Sequence, residues 1–239
     1  IKPDYAEAHN NLGSASKKLG QLDAAVKNYE QALAIKPGYA EAFNHLGIVL
    51  KELGQLDTAV KSYEKVLAIK PDFAEAHFNL GLTLQELGQL DAAVKSYGQA
   101  LAIKPDYADA LINLGVTLQE LGQLDAAVKN YEQALAIKPD FAEAHTNLGN
   151  TLKDLGQLDA SVKSHEQALA IKPDSAGAHS NLGLTLQELG RLDAAIKCYE
   201  KAVAIKPDFA EAYHNLGNAL KDLGQLDKAL TSYESAIAL

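Results

Sequence analysis

Residues 74–107 read Ala74-Glu75-Ala76-His77-Phe78-Asn79-Leu80-Gly81-Leu82-Thr83-Leu84-Gln85-Glu86-Leu87-Gly88, then Gln89-Leu90-Asp91-Ala92-Ala93-Val94-Lys95-Ser96-Tyr97-Gly98-Gln99-Ala100-Leu101-Ala102-Ile103-Lys104-Pro105-Asp106-Tyr107. Each half is long enough for a helix of about three to four turns. Gly88 stands where the first helix must stop, since glycine enters the left-handed conformation without a Cβ clash. Asp91 is placed to cap the second helix, and Pro105 ends it, because proline cannot continue the hydrogen-bond ladder. Asp72 and Glu75, three residues apart, have the spacing of a capping box for the first helix. At about 100° per residue, Ala76, His77, Leu80, Gly81, Thr83, Leu84 and Leu87 share one face and are expected in the core. In the second helix the buried stripe is Ala93, Val94, Tyr97, Ala100 and Leu101.

This stretch is one beat of a longer rhythm. Proline recurs at 3, 37, 71, 105, 139, 173 and 207, always 34 residues apart. A fixed period of this length means one supersecondary unit copied in tandem, each burying its apolar face on the next. Counting Ala6 as position 1, residues 1–5 end a preceding repeat, and the units are 6–39, 40–73, 74–107, 108–141, 142–175, 176–209 and a shortened 210–239. The fold class is therefore all-α, a solenoid of helix pairs. Both ends fall inside the pattern, which reads as a piece of a longer array.

The 239 residues carry a formal charge of −9, with 31 acids against 22 bases and Arg191 as the single arginine. No basic stripe speaks for nucleic acid, and the acidic balance argues against anionic membranes. Cys198 is the lone cysteine, which excludes an internal disulfide and favours a reducing, cytoplasmic setting. The sequence contains no apolar run of membrane-spanning length. It has no glycine-rich phosphate loop and no nucleophile triad, so no catalytic residue, cofactor or metal is assigned. Histidines 9, 77, 145 and 179 fall on the core-facing position 4 and read as packed rings. Cys198 reads as an inert thiol, lacking a positioned base.

The pattern resembles the tetratricopeptide repeat along the whole chain, through Leu80-Gly81, Ala93, Tyr97, Ala100, Pro105 and their counterparts. The resemblance implies a right-handed superhelix of antiparallel helix pairs with a concave groove lined by the first helices. The family often has Trp at position 4 and Tyr at position 11, where this chain has mainly His and, from Leu50 onward, Leu. The phrases Lys-Pro-Asp-Phe-Ala-Glu-Ala, Asn-Leu-Gly and Leu-Gly-Gln-Leu-Asp-Ala-Ala look like the repeat arm of O-linked N-acetylglucosamine transferase and its bacterial relatives. In that family, asparagines at position 6 form a ladder that grips the backbone of a bound polypeptide. The matching positions are Asn11, Asn79, Asn113, Asn147, Asn181 and Asn215, and His45 interrupts the series.

Asparagine is a poor residue inside a helix, so its return on the non-core face needs a reason. Its amide offers both a donor and an acceptor to an extended chain; the alternative is that the amides bridge neighbouring first helices. Positions 5 and 9 vary more, as a surface reading different side chains would. They include Asn44, Ile48, Phe78, Leu82, Ile112, Val116, Asn150 and Asn218. The middle units are expected to expose Ile48, Phe78, Leu82, Ile112 and Val116 in part to the groove as an apolar patch; the alternative is that these side chains pack on adjacent first helices. Acids at positions 2 and 13, partly offset by lysines at position 12, give the groove a negative cast.

The fifth-to-sixth junction departs most from the pattern: Ser161 replaces Ala, His165 replaces Tyr, Ser175 replaces an aromatic, and Gly177 removes an acid. Each change is expected to soften the array there. With no polar capping helix after Leu239, Ala229, Leu230, Tyr233 and Ile237 are expected to be exposed, allowing head-to-tail self-association. The functional expectation is a non-catalytic scaffold binding an extended protein or peptide segment in the groove. The alternatives are the substrate-recognition arm of a larger glycosyltransferase, implied by the resemblance, and a self-assembling structural array.

Overall fold

The computed structural model describes residues 5–239; of the segment expected at 1–5, only Tyr5 lies among them. The described residues form fourteen helices and no strand. In chain order they are α1 (Ala6–Lys18), α2 (Leu22–Ile35), α3 (Ala40–Glu52), α4 (Leu56–Ile69), α5 (Ala74–Glu86), α6 (Leu90–Ile103), α7 (Ala108–Glu120), α8 (Leu124–Ile137), α9 (Ala142–Asp154), α10 (Leu158–Ile171), α11 (Ala176–Glu188), α12 (Leu192–Ile205), α13 (Ala210–Asp222) and α14 (Leu226–Ala238). They form two compact units, Ile1–Leu121 and Gly122–Leu239.

The stops are those the sequence signals. Gly88 has φ of 72°. Its N–H bonds the Gln85 carbonyl at 2.9 Å, and the Gln89 N–H reaches back to Leu84 at 2.8 Å. This is the paired closure of a Schellman turn. The starts differ from expectation. The N-cap residue of α5 is Phe73, not Asp72, and no side chain caps it; the Ala76 N–H takes the Phe73 carbonyl instead, at 3.0 Å. An aromatic at the N-cap sits under the lysine three residues earlier, with Lys70 Nζ 4.9 Å from the Phe73 ring centre and Lys104 Nζ 4.7 Å from that of Tyr107. Asp91 likewise falls inside the first turn of α6, with Gln89 at the N-cap. It acts there on the helix dipole rather than as a cap.

The core follows the expected faces. Ala76, Gly81, Thr83 and Leu84 of α5 are buried, as are Ala93, Tyr97 and Ala100 of α6, while His77, Leu80, Leu87, Val94 and Leu101 are half-buried. The tightest contact joins the two helices of a pair. A Cβ on Gly81 would stand 2.6 Å from Cε1 of Tyr97. The same fit recurs between Gly13 and Tyr29, Gly47 and Tyr63, Gly183 and Tyr199, and Gly217 and Tyr233. At the chain's last helix, Leu230 and Ile237 are exposed and Tyr233 is half-buried. Ala229, expected with them, is instead buried, because it packs in one cluster with Tyr199, Leu216 and Leu220.

Within each unit the odd and even helices pack differently. Each odd helix approaches the next odd helix as well as its even neighbours: α1 meets α3, α3 meets α5, α5 meets α7, and, in the second unit, α9 meets α11 and α11 meets α13. Consecutive even helices within a unit stay farther apart, with no backbone approach of this kind between them. Layers that are closer on one side than the other bend toward the closer side, so each unit curves around its odd helices.

Replacing Gly81 by Ala forces its methyl into the Tyr97 ring and should destabilise the protein by about 1–3 kcal/mol. Gly98→Ala, in α6 with nothing within 4 Å of a Cβ, should stabilise it by about 0.5–1 kcal/mol. Urea unfolding of the two variants beside the parent chain checks both signs.

Candidate functional site, the face of the odd helices

The odd helices are stitched to one another at a spacing of 35 residues. Lys17 pairs with Glu52 at 2.9 Å, Lys51 with Glu86 at 2.7 Å, and Lys153 with Glu188 at 3.8 Å. The Gln85 amide donates to Glu120 at 3.0 Å, and that of Gln187 to Asp222 at 3.2 Å. Position 12 thus engages position 13 of the next repeat, so these acids are partnered rather than free. The pairs are exposed, and each contributes about 0–1 kcal/mol. Their role is to hold the register of neighbouring odd helices.

Position 5 falls in the seam between consecutive odd helices. Asn44 is 2 % exposed and accepts from the Asn79 amide at 3.2 Å. Asn10 and Ser180 are buried too, and Asn10 Oδ1 lies 3.0 Å from His45 Nδ1. Ile112, expected to face the groove, is 5 % exposed. Phe78 is half-buried, its ring 4.9 Å from Tyr107 and 6.0 Å from Tyr97. Ile48, Leu82 and Val116 are half-buried, so at these three positions the apolar row is partly open. At position 9, Asn150 is half-buried and Asn218 accepts the Tyr233 hydroxyl at 2.8 Å.

The position-6 asparagines divide into two groups. Asn79 bridges to Asn44 as above, and the Asn113 amide donates to its own helix at the Asp109 carbonyl, 2.8 Å away. Asn11 is exposed, and Asn147, Asn181 and Asn215 are half-buried. Among the described residues no side-chain hydrogen bond engages these four amides. Below them, the position-10 threonines are fully buried and bond the backbone one turn earlier: Thr83 reaches the Asn79 carbonyl at 2.8 Å, and Thr185 that of Asn181 at 3.1 Å.

The core-facing histidines are latches. Nε2 of His77 and of His145 lies 2.9 Å from the carbonyls of Pro71 and Pro139, and His179 reaches Pro173 at 3.0 Å. A carbonyl only accepts, so Nε2 carries the proton in each. No group of three or more His, Cys, Asp or Glu is placed to hold a metal among the described residues. Cys198 is half-buried, and burial pushes its thiol above the ordinary value, away from a reactive thiolate. Among the described residues no helix is long and apolar enough to cross a membrane.

The fifth-to-sixth junction differs from its expected weakness in one respect. Ser161 finds the Thr185 hydroxyl at 3.1 Å, and the Ser175 hydroxyl accepts the Ala178 N–H at 3.3 Å, a cap that the aromatic linkers do not make. The strain collects at His165. Its ring takes the tyrosine's place against Gly149, where a Cβ would be 2.6 Å away. It is fully buried, and neither ring nitrogen has a partner. Burial, reinforced by the Lys153 ammonium, pushes the imidazole down to about 4.

The family follows from the comparison with known proteins. The model of the TPR repeat matches residues 13–54, 49–88, 84–122, 118–156, 149–190 and 186–224, and that of the tetratricopeptide repeat matches 210–239. The chain belongs to the tetratricopeptide repeat family. Among solved structures it is similar to MamA, with 28 % identity over 66 % of this chain and 93 % of that one and a TM-score of 0.64. It is also similar to YrrB, described as a TPR protein with an unusual peptide-binding site, at 23 % identity, 78 % and 96 % coverage and a TM-score of 0.68. PilF of Pseudomonas aeruginosa shares the fold at 18 % identity, 84 % and 92 % coverage and a TM-score of 0.73. Among curated proteins no match was found.

Acid should find the His165 site first. The unfolded imidazole takes up a proton near pH 6.5 and the folded one only near pH 4, so stability is full above the higher value and falls as pH drops through this window. The loss approaches about 3 kcal/mol. His165→Tyr should flatten that slope, read as the difference between the two chains in urea midpoints from pH 7 to pH 4.

Proposed function

We propose that the odd-helix face binds an extended segment of another protein, gripping its main chain through the position-6 amides. The tetratricopeptide repeat scaffold suits protein–protein interaction, and the fold is shared with YrrB, a protein described as having a peptide-binding site. The observation that carries the reading is the set of amides on α9, α11 and α13. Asn147, Asn181 and Asn215 present one donor and one acceptor per layer, on the inside of the curve, with no hydrogen-bond partner of their own among the described residues. Packed helices stand about 8–10 Å apart, and an extended chain rises about 3.3 Å per residue. Successive amides would therefore meet every third residue of a strand lying across them. Main-chain contact of this kind tolerates many sequences, and selectivity falls to whatever lies between the amides.

Panning a random peptide library against the parent chain and against Asn147→Ala/Asn181→Ala checks this. Each lost amide removes about 0.5–1.5 kcal/mol of net hydrogen bonding. The double variant should hold every selected peptide about tenfold or more less tightly, irrespective of sequence. Unchanged affinity would place the site elsewhere.

A further inference from the structure

In five described linkers the lysine ammonium covers an aromatic ring of the same chain: Lys36 over Tyr39, Lys70 over Phe73, Lys104 over Tyr107, Lys138 over Phe141 and Lys206 over Phe209, at 4.4–5.1 Å from the ring centres. The one other linker wholly among the described residues keeps the lysine, Lys172, but has Ser175 where the ring belongs. A cavity of about 340 Å³ lies there, lined among others by Lys172, Ser175, Thr146, Ala168, Ala178 and Asn181.

The same corner has lost more than one ring. Two repeats earlier, Phe78, Tyr97 and Tyr107 pack together; their counterparts are Thr146, His165 and Ser175. One acid is missing from the mouth, since Gly177 stands where other units carry Asp109, Glu143 or Glu211, and nothing lies within 4 Å of the Cβ it lacks; Glu143 of α9 still lines the cavity on the other side. The cavity opens between α9 and α11, beside Asn181.

We propose that this cavity is a specificity pocket for an aromatic side chain of the bound segment, which takes the place of the missing Ser175-position ring beneath Lys172. The proposal rests on the reading of the odd-helix face as a peptide groove. Its occupant is defined by what the sibling linkers hold. The walls include Ala168 and Ala178, which are buried and apolar, and the lysine cation favours the face of a π system over an aliphatic chain of similar size. The amide of Asn181 lines the cavity, so a peptide held there by its main chain would drop one side chain into it. The groove as a whole would accept varied sequences, and this corner would demand a ring.

Titration of the full chain, carrying ¹³C-labelled alanine methyls, with N-acetyl-L-phenylalanine amide and with N-acetyl-L-leucine amide tests the pocket directly. The phenylalanine amide should shift the Ala168 and Ala178 methyls saturably and about tenfold more tightly than the leucine amide. Ser175→Phe, which restores the sibling ring, should abolish the shifts. Gly177→Glu, which restores the sibling acid at an open position, should weaken them, and it serves as the variant if the first fails to fold. Equal response to both amides, or shifts that persist in Ser175→Phe, would overturn the proposal. In library panning, one position of the selected peptides should be enriched in Phe, Tyr or Trp with the parent chain and lose that enrichment with Ser175→Phe, while overall binding survives. A library in which nothing binds would count against the groove alone, since the amide titration decides the pocket independently.

Discussion

The contact between a ring and a missing side chain sets the geometry of every helix pair in which the structure shows it. Tyr97 lies against the backbone at Gly81 so closely that a single methyl would intrude. Two helices can come this near only when one contributes a large flat group and the other contributes nothing at that point. Small residues gather beside it: Ala76, Ala93 and Ala100 lie on the same buried faces as that contact, with Leu84 filling the next turn. The tyrosine hydroxyl is left at the far edge of the ring, and where it reaches a polar side chain the bond falls on the first helix of its own pair. Tyr97 donates to Gln85 at 3.0 Å and Tyr233 to Asn218 at 2.8 Å.

Stacking of successive pairs then decides which polar groups are used and which are free. Odd helices approach one another, and their charged edges interlock by the lysine–glutamate and glutamine–carboxylate pairs. Position 5 is drawn into the seam, as Asn44 shows, while position 6 stays nearer its mouth. Asparagines with the same amide therefore behave differently, and position alone does not decide, since Asn79 at position 6 is engaged by Asn44. Asn44 is a structural bridge, and Asn181 is left with unspent hydrogen-bonding capacity on the inner side of the curve.

The departures from the repeat gather at one corner and are coupled. Removing the ring at Ser175 gives a hydroxyl that caps α11, and Ser161 acquires a partner in Thr185. His165, one helix below, inherits a slot shaped for tyrosine without the hydrogen bonds its nitrogens need. A local loss of aromatic packing thus leaves a cavity above and a poorly solvated imidazole beneath. Both follow from substitutions that the period makes conspicuous.

The period of 34, the proline and glycine stops and the apolar faces determined the helices and their pairing from sequence alone, because each depends on local backbone sterics and on a repeat that must bury the same face each time. The N-terminal caps were misjudged: Asp72 and Asp91 have the right residue type, but the helices begin so that Phe73 and Gln89 stand at the N-cap positions, with no side chain capping either. The sequence also placed the asparagines on one helical face, yet it could not say which of them bridge and which stay free. That depends on the distance between odd helices, a property of the stack and not of any segment. Only the tertiary structure showed that Ile112 is covered and that Ser175, Thr146 and Gly177 border a single cavity, because side chains of different helices meet only once the layers are packed.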